Sequence, residues 1–321
     1  MSLKEHKKSN VLIVAYLREL PTIESLNEFL YSVAMQKHPT DLLLLHGGLS
    51  KAHMEVLQGV IDKPTITLHK PNPDFDPENP SKAPKVINET TQSLFPLNVV
   101  LQEVKVSTFA EVFNTGFQAA KEHGYEFMSI CEPEDVYSTY WVDTALTYAK
   151  ERPEIGIFTP IIRNVVFGAF QGYYNEAPWA EGMAEEAGKY DQNLMLKFNC
   201  LSPLGAIVRM KSLLESEDAI EERDEKLYPM KTNIKLTSPY EFFLRMAYND
   251  IEIMNVPRLG YEQRIYRREE YFPTTSKLPQ NLVQMPEDKG GMTQQEAQFW
   301  HKKATDAYFI EDDEPIEYIP A

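Results

Sequence analysis

The sequence predicts an α/β protein built on a mixed, mainly parallel sheet flanked by helices. Three observations carry that reading. In the first third of the chain, apolar runs of strand length alternate with amphipathic stretches of helix length, as in residues 11–16, 22–35 and 41–45. Strands joined by such helical crossovers pair in parallel, because the helix returns the chain to the same end of the sheet. The stretch 109–148 repeats the scheme as helix, buried strand and helix, and its strand at 127–131 is apolar throughout, as expected when both faces are covered. That strand runs straight into Glu132-Pro133-Glu134-Asp135, three carboxylates in four residues. Ligands of open α/β sheets bind beyond the carboxyl ends of the strands. Carboxylates crowded there repel one another unless a cation or a donor-rich ligand offsets them.

Taken in order, residues 11–16 (VLIVAY) read as the first strand, and residues 22–35 as a helix with Leu26, Phe29, Leu30 and Val33 on one face. Residues 41–45 form a second strand that closes on His46-Gly47-Gly48. A helix over 52–60 and a third strand over 65–68 extend the parallel alternation. The proline-rich stretch 71–96 breaks the pattern and reads as an extended surface insertion outside the core. Residues 99–104 resume the strands. Phe109, Val112, Phe113, Phe117 and Ala120 then recur at helical spacing, and Gly124 stands where a helix end needs positive φ.

A helix over about 140–150 and a strand over 155–163 follow, then a weakly periodic stretch, 167–189, rich in Gly, Tyr, Trp and acids. The body closes with a strand over 201–209, a charge run over 215–226 that reads as a solvated helix face or loop, a helix over 239–248 and a strand over 251–256. Phe242, Phe243 and Met246 face inward on that last helix. The chain thus divides into a body, residues 1–270 with the insertion 71–96, and a C-terminal extension, residues 271–321. The extension holds one helix, opened by Thr293 and Glu296 in capping-box spacing, and an acidic tail.

Composition narrows the classes. A chain of 321 residues can bury a sizeable core. A formal net charge of -16, with no basic patch in view, excludes a general binder of phosphate backbones and predicts no nucleic-acid partner. Cys131 and Cys200 offer neither a disulfide scaffold nor metal-ligand spacing. No apolar run reaches the length of a membrane span, and the first residues lack a signal-peptide core. The expectation is a soluble, cytoplasmic protein, or one that joins a virion or other large assembly.

With order and spacing laid out, the chain resembles the inverting, family-2-like glycosyltransferases of the GT-A fold. The matching residues are Ser32-Val33-Ala34-Met35-Gln36 for a Ser-x-x-x-Gln helix end and the strand at 41–45. Asn114-Thr115-Gly116 matches Asn-x-Gly, and Glu132-Pro133-Glu134-Asp135 stands in the place of Asp-x-Asp-Asp. Pro153-Glu154-Ile155-Gly156, Leu244-Arg245, Val256-Pro257 and the run from Tyr261 to Arg264 follow in the family's order. The resemblance spans roughly residues 10–268, and order carries it rather than any one motif.

The resemblance implies a nucleotide-sugar donor, a glycan or protein acceptor, and Mn²⁺ or Mg²⁺. It places Ala15, Tyr16 and His46 near the nucleotide, Glu132 on the ribose, and Glu134 and Asp135 on the metal. A diphosphate leaving group gathers negative charge that a hard cation offsets, and a base must take the acceptor's proton. Three positions depart from the family. His46-Gly47 replaces an Asp-Asp pair, the acidic motif has longer side chains, and Ser238-Pro239 stands where a Glu-Asp pair would supply the base, leaving Glu241 as the nearest substitute. Two readings therefore follow: an active sugar transferase with Glu241 as base, or a catalytically inactive GT-A-fold protein that binds ligands or other protein subunits. On the second, Glu241 is an exposed first-turn acid favoured by the helix dipole.

Overall fold

The protein is represented by a computed structural model that describes residues 3–63, 65–71, 86–93, 98–166, 168–191, 194–195, 201–216, 219–223, 226–232 and 238–265. After a single helical turn, α1 (Leu3–His6), the chain enters β1 (Val11–Leu17), then α2 (Ile23–Ala34) and β2 (Asp41–His46). Next come α3 (Lys51–Asp62), β3 (Thr65–Pro71), β4 (Val86–Ser93) and β5 (Val99–Glu103). α4 (Phe109–Glu122), β6 (Phe127–Cys131), β7 (Val136–Tyr137) and α5 (Trp141–Glu151) follow. The second half holds β8 (Ile155–Val166), β9 (Ala169–Tyr174), β10 (Lys189–Tyr190), β11 (Ile207–Arg209) and α6 (Met210–Leu214). It closes with β12 (Glu221–Arg223), β13 (Lys226–Tyr228), α7 (Ser238–Tyr248) and β14 (Glu252–Ile265).

Among the described residues, ten strands form one sheet along the path β10-β14-β8-β11-β6-β1-β2-β5, with β7 beside β14 and β9 beside β8. β5, β2, β1 and β6 run parallel, and β11 enters antiparallel between β6 and β8. The centre is dry: Val11–Ala15 and Leu42–Leu45 are fully buried. α4 lies close on this centre because Gly116 has no side chain. A Cβ there would stand 2.8 Å from Val14 Cγ2. Thr108 and Glu111 cap the start of α4 as a reciprocal pair, and Gly124 follows its end at φ +66.

Several expectations need correction. The third predicted strand does not extend the parallel sheet; β3 pairs antiparallel with β4 in a separate ribbon, and β5 takes the place beside β2. Apolar alternation marks a strand without naming its partner. The proline-rich stretch therefore holds a strand at its far end rather than being wholly irregular, while 72–85 and 94–97 lie outside the described residues. Of the predicted 201–209 strand only β11 forms. Gly205 upstream sits at φ +71, and Leu204 makes a lone bridge to Ile130. The charge run ends in the β12–β13 hairpin. The extension 271–321 lies outside the described residues.

Candidate functional site

The acidic motif is a tight turn at the end of β6. The Asp135 N–H donates to the Glu132 carbonyl at 3.2 Å, and Pro133 sits at the second position, where its fixed φ suits such turns. Glu132 and Glu134 remain partly exposed. Asp135 turns inward and is 1% exposed. Its Oδ2 accepts from the Tyr261 hydroxyl at 2.6 Å and its Oδ1 from the Arg264 N–H at 2.7 Å. The same Tyr261 hydroxyl accepts from the Glu132 N–H at 3.2 Å, so one phenol on β14 fixes both ends of the turn.

Burial pushes the Asp135 carboxyl well above the ordinary carboxylate range, while the hydrogen bonds from Tyr261 and Arg264 pull it down. Tyr261 is wedged in place. Its ring meets Tyr137 edge-on at 5.0 Å, and a Cβ at Gly205 would stand 2.7 Å from it. The Ser-x-x-x-Gln helix end supports the same region. Ser32 Oγ accepts from the Tyr137 N–H, and Gln36 donates to the Ser138 carbonyl and accepts from the Val142 N–H.

The other half of the site lies on the neighbouring strand ends. Ala15 is fully buried, and the Tyr16 hydroxyl donates to the Val106 carbonyl at 3.2 Å. His46, at the end of β2, is 6% exposed, and its Nδ1 is buried with no hydrogen-bond partner. A buried polar atom left unpaired costs about 1–3 kcal/mol, so it marks a place where a ligand can restore a lost contact. Ala15 pairs with both Leu44 and Cys131, which sets the ends of β6, β1 and β2 side by side. Two strand spacings, about 10 Å, therefore separate the acidic turn from His46.

Glu241 does not join them. It is fully buried on α7 rather than exposed in the first turn, and it accepts from Arg245 at 2.9 and 3.1 Å, with Lys231 at 3.5 Å. Arg245 also donates to the Ala219 and Pro229 carbonyls, and Asn114 on α4 clasps Met230 through its N–H (2.9 Å) and carbonyl (2.7 Å). Arg245 and Asn114 thus fasten the segment leading from the β12–β13 hairpin to the core. A general base must come within about 2.6–3.2 Å of the proton it removes, and an enclosed, ion-paired glutamate does not meet that need.

The aromatic residues of the 167–189 stretch divide. Tyr174 is buried on Asn164, and Trp179 donates to Asn255 Oδ1 at 2.7 Å. Phe170 and Tyr173 are about half exposed, with ring centroids 5.0 Å apart. Sequence reasoning named Tyr261 only within the run of the resemblance and missed its hold on the turn, because it lies 126 positions from Asp135.

The fold is similar to that of S. aureus TarS 1–349, at 12% identity and a TM-score of 0.50, over 82% of this chain and 62% of that one. This is a GT-A glycosyltransferase fold. TarS 1–349 in complex with UDP-GlcNAc is also similar (12% identity, TM-score 0.49, 84% of this chain and 61% of that one). So is the mannosyltransferase PcManGT from Pyrobaculum calidifontis in complex with GDP-Man and Mn²⁺ (11%, 0.49, 80% and 57%). The chain thus spans about three fifths of those structures' own length, and 36% of the longer TarS structure it also matches. No protein-family model and no curated protein matches the sequence.

Proposed function

We propose that the chain binds a nucleoside-diphosphate sugar across the ends of β6, β1 and β2 and transfers the sugar to a glycan or protein acceptor. The observation that carries this is the pairing, on a GT-A fold, of an unpartnered buried His46 Nδ1 with partly exposed carboxylates two strands away. The base would lie near Tyr16 and His46, the ribose at Glu132, and the sugar diphosphate at Glu134. Asp135 does not fit as a metal ligand, since both its oxygens are occupied and its burial favours the neutral acid. Glu134, with Glu132 beside it, fits better, because a hard cation that shares the donor's phosphate oxygens needs only one or two carboxylates. When bound there, Mn²⁺ or Mg²⁺ supplies positive charge against the leaving diphosphate. Asp135 and Tyr261 hold the turn that presents those two side chains.

The buried Glu241–Arg245 pair favours a second reading, a GT-A protein that binds its ligand, or other protein subunits, without transfer. Thermal melting with UDP, GDP and their sugars, with and without Mn²⁺, tests the common part. A ligand that binds only the folded state raises the melting temperature by mass action. A shift weakened by Glu134→Ala supports the site, and no shift at millimolar nucleotide removes it. Hydrolysis or transfer of the bound donor then separates the two readings.

Among the described residues no helix is long and apolar enough to cross a membrane.

A further inference from the structure

The strand ends carry one more group than the reading above uses. Leu17 pairs with His46, and His46 pairs with Glu103, the last residue of β5. Partners across parallel strands project to the same face, so these three side chains stand in a row. Leu17 and His46 are buried, and Glu103 is exposed. Beyond His46 the chain leaves the sheet through two glycines. A Cβ at Gly47 would meet the Tyr16 hydroxyl at 2.6 Å, and one at Gly48, which sits at φ +84, would stand 3.5 Å from Glu103 Oε1. Residues 47 and 48 therefore add no side chain of their own between the carboxylate and the end of β2. The exposed end of the row is an acceptor-only carboxylate, and next to it in the middle stands an unpartnered imidazole nitrogen.

We propose that this row reads the donor's base and that the base is guanine; the inference rests on the nucleotide-sugar reading. Of the four common bases, guanine alone presents two adjacent N–H donors, N1–H and N2–H, beside a carbonyl acceptor. A carboxylate accepts two parallel N–H bonds, which assigns that edge to Glu103, and the His46 Nδ1–H donates to O6. Uracil presents one N–H between two carbonyls, so a carboxylate that accepts it sets its second oxygen against a carbonyl lone pair. Cytosine and adenine each set a ring-nitrogen lone pair against it. Charge-assisted pairing of this kind discriminates by roughly ten- to hundred-fold.

The test is calorimetric titration of the full chain with GDP, IDP, UDP, ADP and CDP in the presence of Mn²⁺, repeated on Glu103→Gln. Inosine keeps N1–H and O6 but lacks the second donor. The expected order is GDP, then IDP, then the others. In Glu103→Gln, the tenfold or greater preference for GDP collapses through lost GDP affinity, while UDP binds no more weakly than before and the melting temperature of the free protein stays as it was. A preference for UDP, ADP or CDP overturns the guanine assignment and leaves nucleotide binding standing. A GDP preference untouched by Glu103→Gln overturns the role of Glu103. Binding of no diphosphate at all removes both this inference and the reading beneath it.

Discussion

Asp135 shows how one buried carboxyl can hold a turn to a distant strand. Its two oxygens join the acidic turn to β14, through Tyr261 and the Arg264 N–H. Because burial raises its folded pKa above the unfolded value of about 3.9, the folded state holds a proton that the unfolded chain releases. The stability linked to that proton is fully present below the unfolded value and is lost as pH rises through the folded one. Urea denaturation between roughly pH 4 and pH 8 should show wild type losing more stability than Asp135→Asn. Equal slopes would mean that Asp135 titrates normally.

Glu241 makes the opposite case testable. Removing one partner of a buried ion pair strands the other charge, and costs about 3–5 kcal/mol. Glu241→Gln should therefore lower the denaturation midpoint sharply. A catalytic base would instead lose turnover with stability unchanged.

At the scale of the element, α4 is fixed by its cap and by its contact with β1. Thr108→Ala removes the reciprocal cap with Glu111 and should cost about 1 kcal/mol. Gly116→Ala sets two terms against each other. Alanine gains about 1 kcal/mol of helix propensity over glycine. Its Cβ would however stand 2.8 and 2.9 Å from the two Val14 methyl carbons, and Val14 is fully buried, β-branched and stiff. Overpacking of this kind costs about 1–3 kcal/mol, so the net effect should be destabilising. A variant that melts higher than wild type would show that α4 can lift away from the sheet. The resemblance residues Ser32, Gln36, Asn114, Gly116 and Arg245 all act at this scale: each ties one element to another.

For the whole molecule, the net charge of -16 opposes compaction through self-repulsion. Raising NaCl from about 0.05 to 0.5 M shortens the screening length and should raise the melting temperature by a few degrees. A fall would point to ion pairs, such as those of Lys189 with Glu186 and Glu252, outweighing the repulsion.

Local pattern sufficed for what is set by a segment's own burial. The apolar run at 127–131, the 3.6-residue spacing from Phe109 to Ala120 and the glycine at 124 each specify an element because each face meets one environment over its whole length. The order of such elements was enough to indicate a GT-A sheet. Tertiary structure alone decided which strand lies beside β2, since β3 and β5 are both strand-like and differ only in what they pair with. It also decided which acids stay partly exposed and which are enclosed. Glu132, Glu134, Asp135 and Glu241 are chemically alike in sequence. Tyr261 draws Asp135 inward from 126 residues away, and Arg245 encloses Glu241 within a buried pair. A carboxylate's role depends on the desolvation and donors around it, and those arrive only when distant segments meet.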